Sequence, residues 1–136
     1  MLSYKKLYYD SIDKMAKKIA DNFVAGGSIT QEILKFINEL YDSTKVEQSF
    51  KSSSFETAYH APISSELEFY IARIFYHLSE LERKEWKILL RRQQGKTAPD
   101  IRIEKGGKTI AIVEIKAKAG WIQPFFSEQR YNVDKE

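Results

Sequence analysis

The chain has 136 residues, 43% of them hydrophobic, which suits one domain, or one domain with a helical appendage. It has no cysteine, so disulfides and thiolate metal sites are excluded, and no run is apolar enough to span a membrane. The net charge is +3, but residues 84–118 carry ten Lys or Arg against four acidic residues. This excess favours a polyanion such as DNA or RNA, or else a charged sheet edge that resists aggregation. We expect a cytoplasmic protein.

The first 45 residues predict a helical hairpin. An amphipathic pattern covers residues 4–25, and Gly26-Gly27 predicts its end. A second amphipathic pattern follows, which Ser28 or Thr30 is expected to cap. The apolar residues expected to be buried are Leu7, Ile12, Met15, Ile19 and Phe23 in the first helix and Ile33, Leu34, Ile37 and Leu40 in the second.

Residues 46–59 lack periodicity and predict a loop or linker before a core that spans residues 60–136. A third helix is expected from about Ser64 to Arg83, followed by three strands. The predicted strands are Trp86–Arg91, Pro99–Glu104 and Lys108–Lys118, the last entered through a turn at Lys105-Gly106-Gly107. The apolar residues expected on the buried face of the third helix are Leu67, Ile71, Ile74, Phe75, Leu78 and Leu81.

Acidic residues at the ends of the last two predicted strands suggest a metal site. Residues two apart on a strand share a face, so Glu114 and Lys116 are expected to point the same way, and a hairpin would bring Asp100 beside them. Two carboxylates and an amine suit a divalent cation and an activated water. The alternative is a solvated hairpin with cross-strand ion pairs. Ile110 and Ile112 on the same face favour a buried strand that becomes charged only at its end.

The combination of Pro99-Asp100, Glu114-Ile115-Lys116 and a preceding helix that carries Glu66 resembles the PD-(D/E)xK nuclease superfamily. This superfamily includes many restriction endonucleases and repair or recombination nucleases. Thirteen residues separate Asp100 from Glu114, and the resemblance covers about residues 60 to 130. It implies an α/β fold with a restriction-endonuclease-like core, a helix followed by a three-stranded mixed or antiparallel sheet, after the N-terminal hairpin.

The resemblance also implies an Mg²⁺-dependent endodeoxyribonuclease, with Mn²⁺ able to substitute. Asp100, Glu114 and the main-chain carbonyl of Ile115 would be the metal ligands. Lys116 would orient the attacking water or stabilise charge on the phosphorane, a role we favour over proton abstraction. Glu66 is the expected acidic residue of the helix, and Glu68 is its rival.

DNA is the expected partner. Arg91, Arg92 and Lys96 lie between the first two predicted strands, and Lys118 follows Lys116, so these four side chains are candidates for backbone contacts. For any one of them, a solvated polar turn is the alternative.

The family core continues past its third strand with a helix and a further strand, whereas about twenty residues follow Lys116. Either the chain is a fragment of a longer enzyme, or another subunit completes the sheet, so we expect a homodimer or a domain-swapped dimer. The competing functional hypotheses are a nucleic-acid-binding module and a protein-assembly module, each with the same fold but no cleavage.

Overall fold

Three helices precede three strands in the computed structural model, which describes residues 3–57, 63–93 and 95–116. The architecture is mixed α/β, as predicted, with a three-stranded antiparallel sheet in the order β1-β2-β3. The elements are α1 (Tyr4–Val24), α2 (Thr30–Ser43), a short 3-10 helix (Val46–Phe50), α3 (Ser64–Glu82), β1 (Lys87–Leu90), β2 (Ile101–Lys105) and β3 (Lys108–Val113). No helix within these residue ranges is long and apolar enough to cross a membrane.

The buried face of α1 differs from the predicted one. Leu7, Met15 and Phe23 are 49%, 36% and 51% exposed, so the expectation that they are buried is wrong. Alanines take their place on the buried face, and small side chains there let α1 approach α3 closely. The buried residues of α1 are Ile12, Ala16, Ile19 and Ala20.

The start of α2 and its predicted capping residue also differ. Ile29 occupies the N-cap position without a side-chain hydrogen bond, so neither Ser28 nor Thr30 caps the helix as predicted. Phe36 and Leu40 are the buried residues of α2, whereas Leu34 is 54% exposed. The following segment is more regular than a loop, because it contains the 3-10 helix.

Residues on α3 contribute to two apolar clusters. Toward α1 and α2, its Tyr70 ring stacks on Phe36 with centroids 3.8 Å apart, within the cluster that also holds Ile12. A cavity of about 110 Å³ lies beside this stacked pair and is lined by residues of all three helices. Toward the sheet, Ala72 packs with the inner face of β2. The buried face is therefore wider than the predicted stripe, and it does not include Leu81, which is exposed.

A polar contact also joins α1 to α3. Both oxygens of Asp13 accept hydrogen bonds from Arg73, at 2.6 and 3.3 Å, and Oδ1 is 2.8 Å from Nε2 of His77. Arg73 in turn lies over the ring of Tyr76, 4.0 Å from its centroid. Burial alone would raise the pKa of Asp13, but the hydrogen bonds from Arg73 and His77 outweigh it and lower that pKa below 3.8.

Ser79 supports the turn from α3 into β1. Its carbonyl accepts the N–H of Lys84, and its hydroxyl accepts the N–H of Trp86 at 2.9 Å. Arg83 and Glu85 have φ angles of +51° and +58°, in the left-handed region. These two hydrogen bonds hold a tight reversal, so that β1 lies against the helix that it follows.

The sheet is a meander whose inner face is buried against α3. The predicted hairpin at Gly106-Gly107 is confirmed, with both glycines at positive φ. Ile103 pairs with Ala111 and Glu104 with Thr109, so Ile110 is an extra residue that bulges β3. Ile101 and Ile103 are buried, and Ala111 and Val113 pack beside them.

The outer face of β3 does not match the prediction. Ile110 and Ile112 are 52% and 60% exposed, so the expectation that this face is buried is wrong among the described residues. The strand also ends at Val113 and not at Lys118. Glu114 and Lys116 therefore follow the strand, and the rule of alternating strand faces does not determine where they point.

Candidate active site

The two parts of the sequence motif contact each other at one end of the sheet. Asp100 is half-buried directly before β2, and Pro99 beside it is buried. Oδ2 of Asp100 accepts a hydrogen bond from the N–H of Ile115 at 2.7 Å. The two are fifteen positions apart in sequence, so the antiparallel pairing of β2 with β3 is what brings them together.

This same hydrogen bond explains where β3 ends. Ile101 pairs with Val113, and one further step along the register would place Asp100 opposite Glu114. The Ile115 N–H bonds to the Asp100 side chain, and the chain leaves the ladder after Val113. A short polar side chain at a strand end commonly competes with the backbone ladder in this way.

Beyond the strand, alternate residues have different surroundings. Ile115 is half-buried and packs against both apolar clusters, which fixes the segment to the protein. Glu114 and Lys116 on either side of it are exposed. Packing thus holds the backbone while the carboxylate and the ammonium group remain accessible to a ligand.

Arg91, at the end of β1, joins Asp100 to α3. Its N–H donates to the Asp100 carbonyl at 2.9 Å, and its Nη1 donates to Oε1 of Glu68 at 3.1 Å. The side chain of Arg91 is 47% exposed and that of Glu68 is 12% exposed. Glu68, the rival helix acid, is therefore the one that pairs with a residue bonded to Asp100.

Glu66 lies in the first turn of α3, a position that favours a negative charge. Its Oε2 is buried and has no hydrogen-bond partner among the described residues. A carboxylate oxygen in that condition is costly unless a proton, water or cation satisfies it. The structure thus separates the two acids: Glu68 is paired with Arg91, and Glu66 keeps an unsatisfied buried oxygen.

Two tyrosines of α1 share the electrostatic environment of these acids. Burial, and then the negative charge of Glu66, raises the pKa of Tyr8. Burial and Glu66 likewise raise the pKa of Tyr9, although the nearby positive charge of Arg91 partly opposes this. Tyr9 also packs edge-on against Phe69, with ring centroids 4.8 Å apart. The sequence gives no signal for either tyrosine, because their placement depends on the packing of α1 against α3.

The residues available for a metal ion form a small set. Within the described ranges, no three His, Cys, Asp or Glu side chains are grouped so as to hold a metal ion. Mg²⁺ commonly uses one or two carboxylates and completes its coordination with water and substrate phosphates. The Ile115 amide contacts one oxygen of Asp100, and a carboxylate has further acceptor sites. Asp100, Glu114 and the Ile115 carbonyl are thus the oxygen donors that this end of the sheet could offer a cation, and they do not form a closed protein cage.

The predicted DNA-binding residues have different environments. Arg92 and Lys96 are exposed in the connection between β1 and β2, whereas Arg91 is paired with Glu68. Lys118 lies outside the described residues. Among the described residues, Arg92 and Lys96 are therefore the predicted cations that are exposed and not paired with Glu68.

Comparison of the chain with protein-family models, with curated proteins and with solved structures finds no match.

Proposed function

We propose that the chain is an Mg²⁺-dependent nuclease domain that hydrolyses DNA phosphodiester bonds and has a restriction-endonuclease-like core. The observation that carries the proposal is the hydrogen bond from the Ile115 N–H to Asp100. It joins the Pro-Asp dipeptide to the Glu-x-Lys segment at one sheet end, and Glu68 of α3 is linked to the same end through Arg91. The antiparallel hairpin brings these positions together, and the support for the proposal is the combination of residue types that meet there.

Each residue has a distinct role in the proposed reaction. Asp100 and Glu114 would hold the cation, with the carbonyl of Ile115 as a third oxygen donor. A bound Mg²⁺ would supply polarisation of the scissile phosphate and a lowered pKa of its water. Lys116 orients the attacking water and stabilises the negative charge that develops on the phosphorane. Glu66 would offer its buried, unsatisfied oxygen as a hydrogen-bond acceptor for a water at this end of α3.

Exposed cations next to this site would hold the DNA backbone. Arg92 and Lys96 neutralise phosphates, so binding is expected to weaken as salt concentration rises. Such contacts position the duplex without reading its sequence. Homodimerisation stays a prediction, for which the exposed Ile110 and Ile112 on the outer face of β3 are the accessible apolar surface.

Plasmid cleavage tests the proposal. Wild type is expected to cut with Mg²⁺ or Mn²⁺ and not with EDTA, whereas Asp100→Asn and Lys116→Ala lose cleavage but keep the wild-type circular dichroism spectrum. Glu104→Gln and Lys108→Ala are matched controls, because they change the same charges at the other end of β2 and β3. Equal loss in the controls, or full activity of Asp100→Asn, would contradict the assignment of this site.

The second candidate is a nucleic-acid-binding or assembly module that does not cleave. The exposed Glu114 beyond the ladder, together with the lack of a three-ligand group among the described residues, favours this alternative. It predicts salt-sensitive DNA binding that is indifferent to EDTA and survives Asp100→Ala. A gel-shift titration of both proteins with and without Mg²⁺ separates the two candidates.

A further inference from the structure

Four residues connect α3 to the ends of all three strands through short polar contacts. Glu68 binds the guanidinium of Arg91 at 3.1 Å, the Arg91 N–H binds the Asp100 carbonyl at 2.9 Å, and Oδ2 of Asp100 binds the Ile115 N–H at 2.7 Å. We infer that Arg91 is a positioning residue that fixes Asp100 for cation binding and is itself anchored by Glu68. The role in cation binding rests on the proposed nuclease function; the positioning of Asp100 does not.

The backbone of Arg91 supports this assignment. Its φ is +52°, in the left-handed region that glycine adopts freely and other residues adopt at a cost. A residue remains in such a conformation when its surroundings hold it there. Two contacts hold Arg91 there: a main-chain hydrogen bond to Asp100 on one side and a charged pair with Glu68 on the other.

Burial makes the pair with Glu68 difficult to break. The Glu68 side chain is 12% exposed, so departure of Arg91 would leave a largely desolvated carboxylate without its partner. A hydrogen bond between two charged groups is among the stronger protein interactions. Arg91 is therefore a poor candidate for recruitment by a DNA phosphate, in contrast to the predicted role.

Arg92 provides the comparison within the chain. It is the next residue, has the same charge and is exposed as Arg91 is, but Glu68 pairs with Arg91 and not with it. If the pairing of Arg91 determines its role, the two arginines should affect different measurements. Arg91 should affect the cation site and the Ile115 amide, and Arg92 should affect the affinity for DNA and its salt dependence.

The experiment uses the full chain and three measurements: the ¹⁵N–¹H resonance of Ile115, Mn²⁺ affinity by calorimetry, and DNA affinity at two salt concentrations. The test variants are Arg91→Gly, Arg91→Lys and Glu68→Gln, with Arg92→Ala as the control. Arg91→Gly keeps the backbone N–H and accepts the left-handed conformation, so it removes the guanidinium with the least risk to folding.

We expect Arg91→Gly and Glu68→Gln to shift the Ile115 resonance and to weaken Mn²⁺ binding by about tenfold or more, the usual effect of losing a group that orients a metal ligand. Arg91→Lys restores the charge and should recover part of the affinity. Arg92→Ala should leave the Ile115 resonance and Mn²⁺ affinity unchanged while weakening DNA binding.

Wild-type values of the Ile115 resonance and of Mn²⁺ affinity in both Arg91→Gly and Glu68→Gln would overturn the inference. So would an Arg91→Gly variant whose defect is confined to DNA affinity, as for Arg92→Ala. A wild type that neither binds Mn²⁺ nor cuts DNA would overturn the proposed function instead. In that case the Ile115 resonance alone still decides whether Arg91 positions Asp100.

Discussion

The helical part of the molecule and the free end of its sheet are built in different ways. Between the helices, α1 and α3 share a buried apolar cluster, and the stacked rings of Phe36 and Tyr70 attach α2 to it. At the sheet end, Asp100, Arg91 and Ile115 are held by individual hydrogen bonds, and Glu114 and Lys116 extend into solvent.

This difference separates stability from the candidate chemistry. Apolar burial is nondirectional and tolerates small shifts, whereas a cation site needs oxygens at defined positions. We therefore expect substitutions in the helical core to change the free energy of unfolding, and substitutions at the sheet end to change ligand binding with smaller effects on that free energy.

Truncation of a core isoleucine should have the largest effect on stability. Ile12 in α1 is 2% exposed. The substitution Ile12→Ala is expected to lower the free energy of unfolding by about 2–5 kcal/mol, because a buried side chain is lost and a cavity remains. Ile112→Ala is the matched control on the sheet, at 60% exposure, with an expected change within about 0.5 kcal/mol. Urea denaturation measures both, and a large effect of Ile112→Ala would show that its face is covered in solution.

The polar contact between α1 and α3 should have an intermediate effect. Asp13→Asn should cost about 1–2 kcal/mol at neutral pH, because a partly buried carboxylate loses charged hydrogen bonds to Arg73 and His77. Asp10→Asn, on the same helix, breaks the exposed pair with Lys6 and should cost less than about 0.5 kcal/mol. A similar loss of unfolding free energy in the two variants would show that burial does not strengthen the contacts of Asp13.

The pH dependence of this contact has a definite sign. Because the folded protein lowers the pKa of Asp13 below 3.8, its stabilising effect is complete above that pH and is lost as pH falls through the folded pKa. The stability difference between wild type and Asp13→Asn should therefore shrink in acid below about pH 3.8. A difference that persists unchanged to lower pH would show that the charge of Asp13 is not what stabilises the helices.

Ionisation of Tyr70 should have the smallest effect under ordinary conditions. Burial, and then the negative charges of Glu32 and Glu39, raises the pKa of Tyr70 to about 12. The folded state favours the protonated phenol. Its contribution to the free energy of unfolding is therefore complete below pH 10.0 and is lost as pH rises through about 12. Wild type should lose more stability than Tyr70→Phe over that interval, while ultraviolet absorbance follows the phenolate. Equal losses of stability in wild type and Tyr70→Phe would show that the phenol group is exposed to solvent in the folded protein.

Much of the fold could be predicted from sequence, because its signals are local. Three amphipathic helices, three strands and the Gly106-Gly107 hairpin follow from short-range patterns, and all are present. The buried faces were harder to predict, because Ala16 and Tyr70 are buried by the arrangement of neighbouring helices and not by the strength of their own pattern.

The candidate site could be predicted in its composition but not in its geometry. Antiparallel pairing of two predicted strands suffices to bring Asp100 near the Glu114 segment. The early end of β3 depends on a hydrogen bond from a main-chain N–H to a side chain fifteen residues away, which no periodicity encodes. The pairing of Arg91 with Glu68 likewise depends on how α3 lies against the sheet.

The stacked attachment of α2 has a consequence for how the molecule opens. The buried residues of α2 are Phe36 and Leu40, and Ile29, Ile33, Ile37 and Tyr41 pack beside them against the same cluster. Local opening requires the loss of these contacts but leaves the packing of α1 on α3 in place, so we expect α2 to open as a cooperative unit at a free energy below that of global unfolding. Amide hydrogens of α2 should then exchange with deuterium before those of α1 and β2. Native-state exchange would reveal a partly open form in which the Tyr70 ring meets solvent while the sheet end is intact.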